Sequence, residues 1–385
     1  MGSDISLIIS VSLIIFASPL ISQKVKIPTV SIEIVLGALC AYFLLIPENA
    51  IFELVAQLGF LYLMFLAGLE VDLKKLVNIS PSMLRRSLLY VTVLYVLSLM
   101  GTLYLGLGKI FIVILPLISI GLLASLKKEY GDQEWVTLAI TVGLIGEIIS
   151  IIVLTTVSAG LEFGFGWDFA KTLILFLIFM FIMLLVYKVF HNLVWWYPEI
   201  KTFLMPKEDN QEQDIRLSMA IFFLMIALMV YLKLEVAFGA FIAGSFIVTF
   251  FEHNKALPTK LEHFGFGWLV PLFFIYVGSS FELESMFHDG LFVRAVAICG
   301  SMIMIRLLAS LVFLKVIEKK NIVMLALSHS MPLTLLIAVA TLAYHNHSIT
   351  QSYYYAFILA SILEVLFVMF VIRLLQPRFF KNNVN

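Results

Sequence analysis

The sequence predicts an all-α polytopic membrane protein, and three observations support this prediction. Of the 385 residues, 62% are apolar and 13% are charged, whereas soluble domains average about 45–50% and about 25%. The apolar residues form continuous runs close to the roughly 20 residues of helix that cross a bilayer core. These runs lack the strict alternation of a membrane β-barrel, so we expect helices rather than strands.

Thirteen apolar segments are long enough to be transmembrane helices. They divide the chain into a first six-helix half (1–158), a linker helix with a cytoplasmic loop (159–215), a second six-helix half (216–376) and a cytoplasmic tail (377–385). The predicted spans cover residues 4–22, 28–46, 51–69, 87–107, 109–126, 135–158, 168–190, 216–232, 234–251, 267–283, 290–314, 321–344 and 351–376.

Basic residues predict the orientation of these spans. Twenty of the 25 Lys and Arg residues lie in or beside the odd-numbered loops and the C-terminal tail, and four lie in the even-numbered loops. Cytoplasmic loops carry such an excess. We therefore expect the C-terminus in the cytoplasm and the N-terminus outside, which requires an odd number of spans.

The two halves resemble each other, which indicates an internal repeat. Span two pairs with span nine, span three with span ten, and span five with span twelve, so each partner lies seven spans further along. Seven is odd, and the second copy is therefore inverted in the membrane. Inverted repeats are typical of transporters, whose substrate sites lie near the midplane around interrupted helices. The matching features are segments 33–38 and 236–244, segments 58–73 and 270–283, and Pro116 and Pro332.

Composition excludes several classes of protein. The 25 basic residues only balance the 25 acidic ones, so the surplus that nucleic-acid binding needs is missing. Cys40 and Cys299 both lie in apolar runs, which argues against a disulfide framework or a cysteine metal site. We find no motif of the His-Glu-x-x-His or Gly-x-Ser-x-Gly type. The sequence therefore predicts a protein that is not an enzyme and needs no cofactor.

A few ionisable residues lie deep within the predicted spans, where a charge is costly and marks a functional or paired group. Glu147, near the middle of span six, is the predicted carrier of a proton or a monovalent cation. Arg306, in span eleven, stays protonated, and we expect Glu147 to be its counter-ion. The alternative is a purely structural ion pair. Candidate supporting residues are Glu364, Glu33, His329 and Ser150.

Pro116 in span five and Pro332 in span twelve are predicted to interrupt their helices, because proline removes a helix hydrogen bond and clashes with the preceding turn. Unwound backbone offers carbonyl oxygens to a hard cation, and Ser119 adds a hydroxyl group. Glu147 and Ser119 are therefore the predicted ligands of a monovalent cation. Competition between this cation and a proton for one alternately exposed carboxylate would produce antiport.

Four segments carry motifs in a fixed order along nearly the whole chain. They are Pro28 to Gly37 with Glu33-Ile34, Leu58-Gly59 to Leu69-Glu70, Phe238-Gly239-Ala240-Phe241-Ile242-Ala243-Gly244, and Val270-Pro271-Leu272-Phe273-Phe274 with Val277-Gly278. On these motifs the chain resembles the second family of monovalent cation:proton antiporters. That family includes bacterial Na⁺/H⁺ antiporters and the membrane parts of glutathione-gated K⁺ efflux systems.

The resemblance implies a Na⁺/H⁺ antiporter-like fold and a homodimer in the bacterial cell membrane, among membrane lipids. Spans one to three and eight to ten would form a dimerisation scaffold, and a mobile core would carry Na⁺ or a similar ion by an elevator-like movement. The family's acidic position falls on Gly146-Glu147 and its basic position on Arg306, so Gly146 joins the predicted ion site. The chain departs from the family pattern where Gly146 offers no side-chain ligand and Ile120 replaces a threonine.

Two other readings of the sequence remain open. One is an efflux pathway for K⁺ or another cation that is not obligatorily coupled to protons. The other is a membrane sensor that transports nothing, in which Glu147 and Arg306 are structural. Flux that does not respond to a proton gradient would favour the first of these alternatives over antiport.

Overall fold

The structure is a computed structural model, and every regular element in its described part is a helix. Parts of the predicted linker and tail, 201–211 and 380–385, lie outside the described residues, as do the ends of two repeat motifs at 71–73 and 282–283. The described residues are 2–25, 27–47, 49–70, 79–163, 166–197, 199, 212–232, 234, 236–251, 254, 256–281 and 290–379.

The helices are numbered in chain order. The α-helices are α1 (Gly2–Val25), α2 (Thr29–Tyr42), α3 (Ala50–Glu70), α4 (Pro81–Tyr104), α5 (Phe111–Ile114), α6 (Gly121–Tyr130), α7 (Glu134–Phe163), α8 (Trp167–Trp196), α9 (Gln213–Leu232), α10 (Val236–Phe250), α11 (Leu257–Phe264), α12 (Val270–Ser279), α13 (Leu291–Ser310), α14 (Lys319–His329), α15 (Leu333–His345) and α16 (Gln351–Phe379). Helix α11 continues through a π-helical turn, Gly265–Leu269, into α12.

These helices fall into two compact units. Unit one comprises the described residues of Met1–Lys74 and Ala159–Leu283, and unit two those of Lys75–Ser158 and Glu284–Asn385. Unit one contains α1 to α3 and α8 to α12, and unit two contains α4 to α6, α7 as far as Ser158, and α13 to α16. Each unit takes helices from both predicted halves, so the units are not the halves themselves.

Some of the predicted spans correspond to helices that are long enough to cross a membrane. Eight helices in the described part of the chain are long and apolar enough to cross a membrane, and the bent pair α14–α15 makes a ninth. Two shorter apolar helices, α2 and α10, lie at predicted spans two and nine. Helix is present within each of the thirteen predicted segments, but the count of thirteen crossings stays a prediction.

Unit one is held together by helices that cross at glycines. The α2–α12 and α3–α10 pairs make the most extensive helix contacts among the described residues. At each of four glycines, an added Cβ would overlap a backbone carbonyl of the facing helix. Small residues allow backbones this close approach. The four contacts are Gly37 with Ile275, Gly278 with Ile34, Gly68 with Phe241, and Gly244 with Phe65.

The four glycine contacts are related to one another by two fixed shifts in sequence. A shift of 207 residues moves the α2 positions onto those of α10, so that Gly37 falls on Gly244. A shift of 210 residues moves the α3 positions onto those of α12, so that Gly68 falls on Gly278. The α2–α12 crossing and the α3–α10 crossing therefore use equivalent residues. These are also the spans that the sequence pairs as repeats.

Unit two contains the first interrupted helix. The short α5 ends at Ile114, residues 115–116 form a turn, 117–120 are non-helical, and α6 begins at Gly121. The interruption thus includes Pro116. Ser98 on α4 donates its hydroxyl to the carbonyl oxygens of Phe111 (3.0 Å) and Ile112 (3.3 Å). At Ile112 this satisfies a carbonyl whose helical partner would be residue 116, since Pro116 has no amide hydrogen to donate.

The second interruption separates α14 from α15, with a bend of 41°. Pro332 is the residue before α15, and its carbonyl accepts the Leu336 amide at 2.7 Å. Ser330 lies in the bend and donates its hydroxyl back to Ala326 O at 3.0 Å. Proline at this position cannot continue the hydrogen-bond ladder of α14. Unit two therefore carries both interruptions, which lie at the two prolines singled out in the sequence.

Candidate ion-binding site

Glu147 lies on α7 and is fully buried within unit two. Its carboxylate accepts the Ser119 hydroxyl, Oγ to Oε1, at 3.3 Å. It also accepts the backbone amide of Ile120, N to Oε2, at 3.4 Å. The structure therefore brings together the predicted carrier, the predicted hydroxyl group and the unwound backbone of 117–120. The Ile120 amide was missed in the sequence, because its replacement of threonine drew attention to the lost side chain.

Ser150 also binds the unwound segment 117–120. It lies three residues after Glu147 on α7, so the two side chains share a helix face. Its hydroxyl accepts the Ile118 amide at 3.4 Å. Consecutive positions on one face of α7 thus satisfy the backbone amides that the interruption leaves without helical partners.

Two glycines on α7 allow the unwound segment to approach this helix. A Cβ at Gly146 would lie 2.5 Å from Cδ1 of Ile118, and a Cβ at Gly143 would lie 2.7 Å from Cγ2 of Ile120. Both distances are shorter than a real contact allows. The missing ligand at Gly146 therefore has a steric explanation, since this position accommodates the segment that carries Ser119. Gly143 was not singled out in the sequence, and its spacing of three from Gly146 was the available signal.

Arg306 on α13 is fully buried and anchors the interrupted helix. Its Nη2 donates to the carbonyl oxygen of Leu117, the first residue of the non-helical segment, and its Nη1 donates to Met302 O at 2.8 Å. A guanidinium group offers five donors in a fixed geometry. Its position lets it bind a carbonyl that the helix interruption has released.

A second carboxylate lies at ion-pair distance from Arg306. It is that of Glu364 on α16, with Nη1 and Oε1 3.8 Å apart, and the expected pairing of Arg306 with Glu147 stays a prediction. The expectation ranked carboxylates by depth alone. Which acid an arginine meets depends on which helices pack together, and α13 packs closely against α16.

His329, the last residue of α14, is fully buried and uses both ring nitrogens. Its Nε2 lies 2.9 Å from Ala139 O, and its Nδ1 lies 3.0 Å from the Tyr90 hydroxyl. A carbonyl can only accept, so Nε2 carries the proton, and Nδ1 of the neutral ring then accepts from Tyr90. This places His329 as a cross-link between α14, α7 and α4. Tyr90 gave no signal in the sequence.

Glu33 belongs to unit one, where it is nearly fully buried on α2. Its Oε1 accepts the hydroxyl of Ser18 on α1 at 3.3 Å. Glu33 and Glu147 thus belong to different units, and the supporting role predicted for Glu33 stays a prediction.

The arrangement at Glu147 has the chemistry of an oxygen-rich site for a small monovalent ion. It offers a carboxylate, a hydroxyl and non-helical backbone, whose carbonyl oxygens are the ligands that discontinuous helices supply to Na⁺ or H⁺. Among the described residues, no group of three or more His, Cys, Asp or Glu side chains could hold a metal ion. Carboxylate and carbonyl oxygens suit hard cations, whereas softer transition metals prefer imidazole or thiolate ligands.

Three curated proteins that are similar to this chain are all described as antiporters or antiporter subunits. The putative Na⁺/H⁺ antiporter YjbQ of Bacillus subtilis is 23% identical over 95% of this chain, which spans 62% of the length of YjbQ. Probable Na⁺/H⁺ antiporter 3 of Methanocaldococcus jannaschii is 25% identical over 71% of each chain. The ammonium/H⁺ antiporter subunit AmhT of Alkalihalophilus pseudofirmus is 26% identical over 71% of this chain and 69% of its own.

A solved structure has the same fold. The sodium proton antiporter MjNhaP1 of Methanocaldococcus jannaschii superposes with a TM-score of 0.67 at 15% identity, covering 98% of this chain and 97% of its own. The family described as "Sodium/hydrogen exchanger, transmembrane" matches residues 9–375. Because that match covers almost the whole sequence, this multi-pass membrane protein belongs to the sodium/hydrogen exchanger family.

Proposed function

We propose that the protein is a secondary antiporter that exchanges a monovalent cation, Na⁺ in the first instance, for H⁺ at Glu147. One observation carries this proposal. The fully buried carboxylate of Glu147 meets the interruption of a membrane helix within 3.3 Å of the Ser119 hydroxyl. A lone buried acid at non-helical backbone is a site that a proton and a small cation can occupy in turn, but not together.

Exchange follows from competition for this carboxylate. In the proton-bound state, the carboxyl group is neutral and stable without a cation. In the cation-bound state, the Ser119 hydroxyl turns a lone pair toward the ion, and carbonyl oxygens of 117–120 complete its shell. Either ligand neutralises one negative charge, so the charge at Glu147 is the same with H⁺ or with Na⁺. We therefore expect one-for-one electroneutral exchange.

The proposal includes an elevator-type movement in which unit two carries the ion. The ion ligands all lie in unit two, and the glycine crossings make unit one a closely packed body. Unit one also contains the predicted scaffold, spans one to three and eight to ten, so we place the homodimer contact there. The equivalent glycine contacts of α2 and α10, and of α3 and α12, support the inverted repeats.

The proposed setting is the bacterial cell membrane, with thirteen crossings, the N-terminus outside and the C-terminus in the cytoplasm. The Lys and Arg distribution supports this orientation, since cytoplasmic loops are enriched in both residues. Na⁺ is the first choice because two of the three related antiporters are described as Na⁺/H⁺ antiporters. The likeness to AmhT makes ammonium, and with it the similarly sized K⁺, the second choice.

The proposal can be tested with purified protein in proteoliposomes that carry a pH gradient and a pH-sensitive dye. We expect Na⁺ to dissipate the gradient, and K⁺, Li⁺ and NH₄⁺ to rank the selectivity, with protein-free liposomes correcting for NH₃ leakage. Glu147→Gln should abolish exchange and still fold. Glu53→Gln, which changes a carboxylate on α3 in unit one, should exchange at the wild-type rate.

Three results would argue against this function. Wild-type exchange by Glu147→Gln would remove the carrier from the mechanism. Cation flux that does not respond to the pH gradient would favour the uncoupled efflux pathway. A change in membrane potential during exchange, measured with a potential-sensitive dye, would contradict one-for-one stoichiometry.

A further inference from the structure

Glu364 is a buried carboxylate for which the proposed exchange at Glu147 has no use. It lies on α16 and is fully buried, and neither of its oxygens has a hydrogen-bond partner among the described residues. Its Oε1 lies 3.8 Å from Nη1 of Arg306, whereas hydrogen bonds between charged groups measure about 2.7–2.9 Å. In the same described part of the chain, the Nε of Arg306 has no hydrogen-bond partner either. The two charged groups therefore face each other with hydrogen-bonding capacity unused on both sides.

Arg306 connects Glu364 to the ion site. Its Nη2 donates to Leu117 O at the start of the non-helical segment, and Ser119 and Ile120, two and three residues later, donate to Glu147. Unit two thus contains two buried carboxylates and one guanidinium in a continuous line of contacts. When Glu364 is ionised, it balances the charge of Arg306. When Glu364 is protonated, the positive charge of Arg306 is unbalanced and repels a cation at Glu147.

We propose that Glu364 is a second proton-binding site, and that its protonation weakens cation binding at Glu147 through the unbalanced charge of Arg306. The inference rests on the proposed role of Glu147 as the carrier. Glu364 does not touch the transported ion in this scheme, so it is a positioning residue. Its effect would reduce cation affinity at acid pH beyond the direct competition between H⁺ and the cation.

The groups around Glu364 single out Arg306 as its charged neighbour among the described residues. Among the described residues, α13, α14 and α15 make the main contacts with α16, and Phe111 of α5, a helix without titratable side chains, packs on Tyr353 and Phe357. From α13, the Cys299 thiol also interacts with Glu364. From α14, His329 is held by Ala139 and Tyr90. The titratable residues of α15, Tyr344 and His345, are its last two, and Tyr344 stacks on Tyr354, ten residues before Glu364.

The test is the KM of the transported cation in proteoliposomes, measured from acid to alkaline pH for wild type and Glu364→Gln. At alkaline pH, where wild-type Glu364 is ionised, we expect Glu364→Gln to raise KM about tenfold, the effect of a unit charge on the order of 10 Å away at an effective dielectric constant of about 20. As the pH falls and wild-type Glu364 takes up its proton, the ratio of the two KM values should approach one. The maximal rate should change little.

Ser361→Ala is the matched control, because Ser361 lies one turn before Glu364 on α16, is equally buried, and donates to Ile358 O of its own helix. It should keep the wild-type KM at every pH. A KM ratio for Glu364→Gln that is one throughout, or that is the same at every pH, would overturn the proposal and leave Glu364 a structural role. The proposed function is tested separately. If the wild type exchanges cations and Glu147→Gln does not, that function stands whatever the result for Glu364.

Glu364→Asp provides a second test if the glutamine variant does not yield folded protein. It keeps an ionisable group but moves the carboxylate back by one methylene, away from Arg306. We expect a smaller rise in KM at alkaline pH, again disappearing as the pH falls. An unchanged KM at every pH would contradict the proposal.

Discussion

The two compact units use different means to bury their helices. In unit one, α2, α3, α10 and α12 cross at four glycines, with backbone against backbone. In unit two, the buried interior carries Glu147, Arg306, Glu364 and His329, and two of its helices are interrupted. Backbone packing at glycines is the main feature of unit one, although Glu33 is buried there too, whereas the buried polar groups of unit two lie around an interrupted helix. The proposed antiport would use the first unit as a scaffold and the second to hold the ion.

The difference predicts where substitutions damage the fold and where they damage transport. In unit one, added volume meets backbone that cannot move aside. In unit two, a lost polar group leaves another polar group buried without a partner, which costs about 1–3 kcal/mol and more for a charge. Stability and cation affinity, measured separately, should therefore divide the variants by unit.

Gly68→Val should have the largest effect. Its Cβ would overlap the Phe241 carbonyl on α10, and overpacking costs about 1–3 kcal/mol even where side chains can shift. We expect no folded protein in size-exclusion chromatography after detergent extraction. Gly101→Val on α4, where a Cβ meets nothing within 4 Å, should give a wild-type profile. Normal folding of Gly68→Val would show that unit one is not packed as described.

Arg306→Ala should come next, because it leaves Glu364 without its counter-ion and Leu117 O without its donor. Breaking a buried ion pair costs about 3–5 kcal/mol, so the melting temperature should fall substantially in a tryptophan-fluorescence unfolding scan. Arg306→Lys keeps the charge but not the planar guanidinium group, so its melting temperature should lie between those of wild type and Arg306→Ala. Arg294→Ala, at an exposed position of the same helix, is the control. An equally stable Arg306→Ala would contradict the pairing.

Gly146→Ala should weaken cation binding with a moderate loss of stability, about 1–3 kcal/mol. Its Cβ would lie 2.5 Å from Ile118 Cδ1, so the segment that carries Ser119 must shift. The double variant Gly146→Ala with Ile118→Val removes this methyl group and should recover much of the affinity. Failure of the second substitution to restore KM would mean that Gly146 acts in another way.

Ser119→Ala should have the smallest effect of the four. It removes one hydroxyl at Glu147, and a single hydrogen bond contributes about 1 kcal/mol, or about fivefold in KM. Ser119→Thr should retain the wild-type value. A KM for Ser119→Ala equal to that of wild type would exclude the hydroxyl from the ion's shell.

Sequence reasoning reached the parts of this site that depend on composition and on single residues. A carboxylate in an apolar run, such as Glu147, stands out because burying it is costly, and Pro116 and Pro332 stand out because proline cannot continue a helix. Ser119 was singled out as a hydroxyl group in the segment that Pro116 interrupts. These are local signals, and the structure places Glu147, Ser119 and the interruption together.

What sequence reasoning could not reach depends on which helices pack together. The proximity of Glu364 to Arg306 requires the α13–α16 contact, which no local pattern encodes. The Leu117 carbonyl and the Ile120 amide are backbone groups of a kind that nearly every residue has. Their roles can be identified only once the path of the interrupted segment is known in three dimensions. The grouping of helices into two units likewise arises from crossings such as Gly68 with Phe241.

The central claim, that one buried carboxylate holds either a proton or a cation, is tested most directly by proton release. Purified protein in weakly buffered detergent solution would be titrated with the preferred cation while released protons are counted with a pH indicator. The account predicts close to one proton released for each cation bound by wild type, and none from Glu147→Gln. Saturable cation binding without proton release, or equal release by Glu147→Gln, would contradict it.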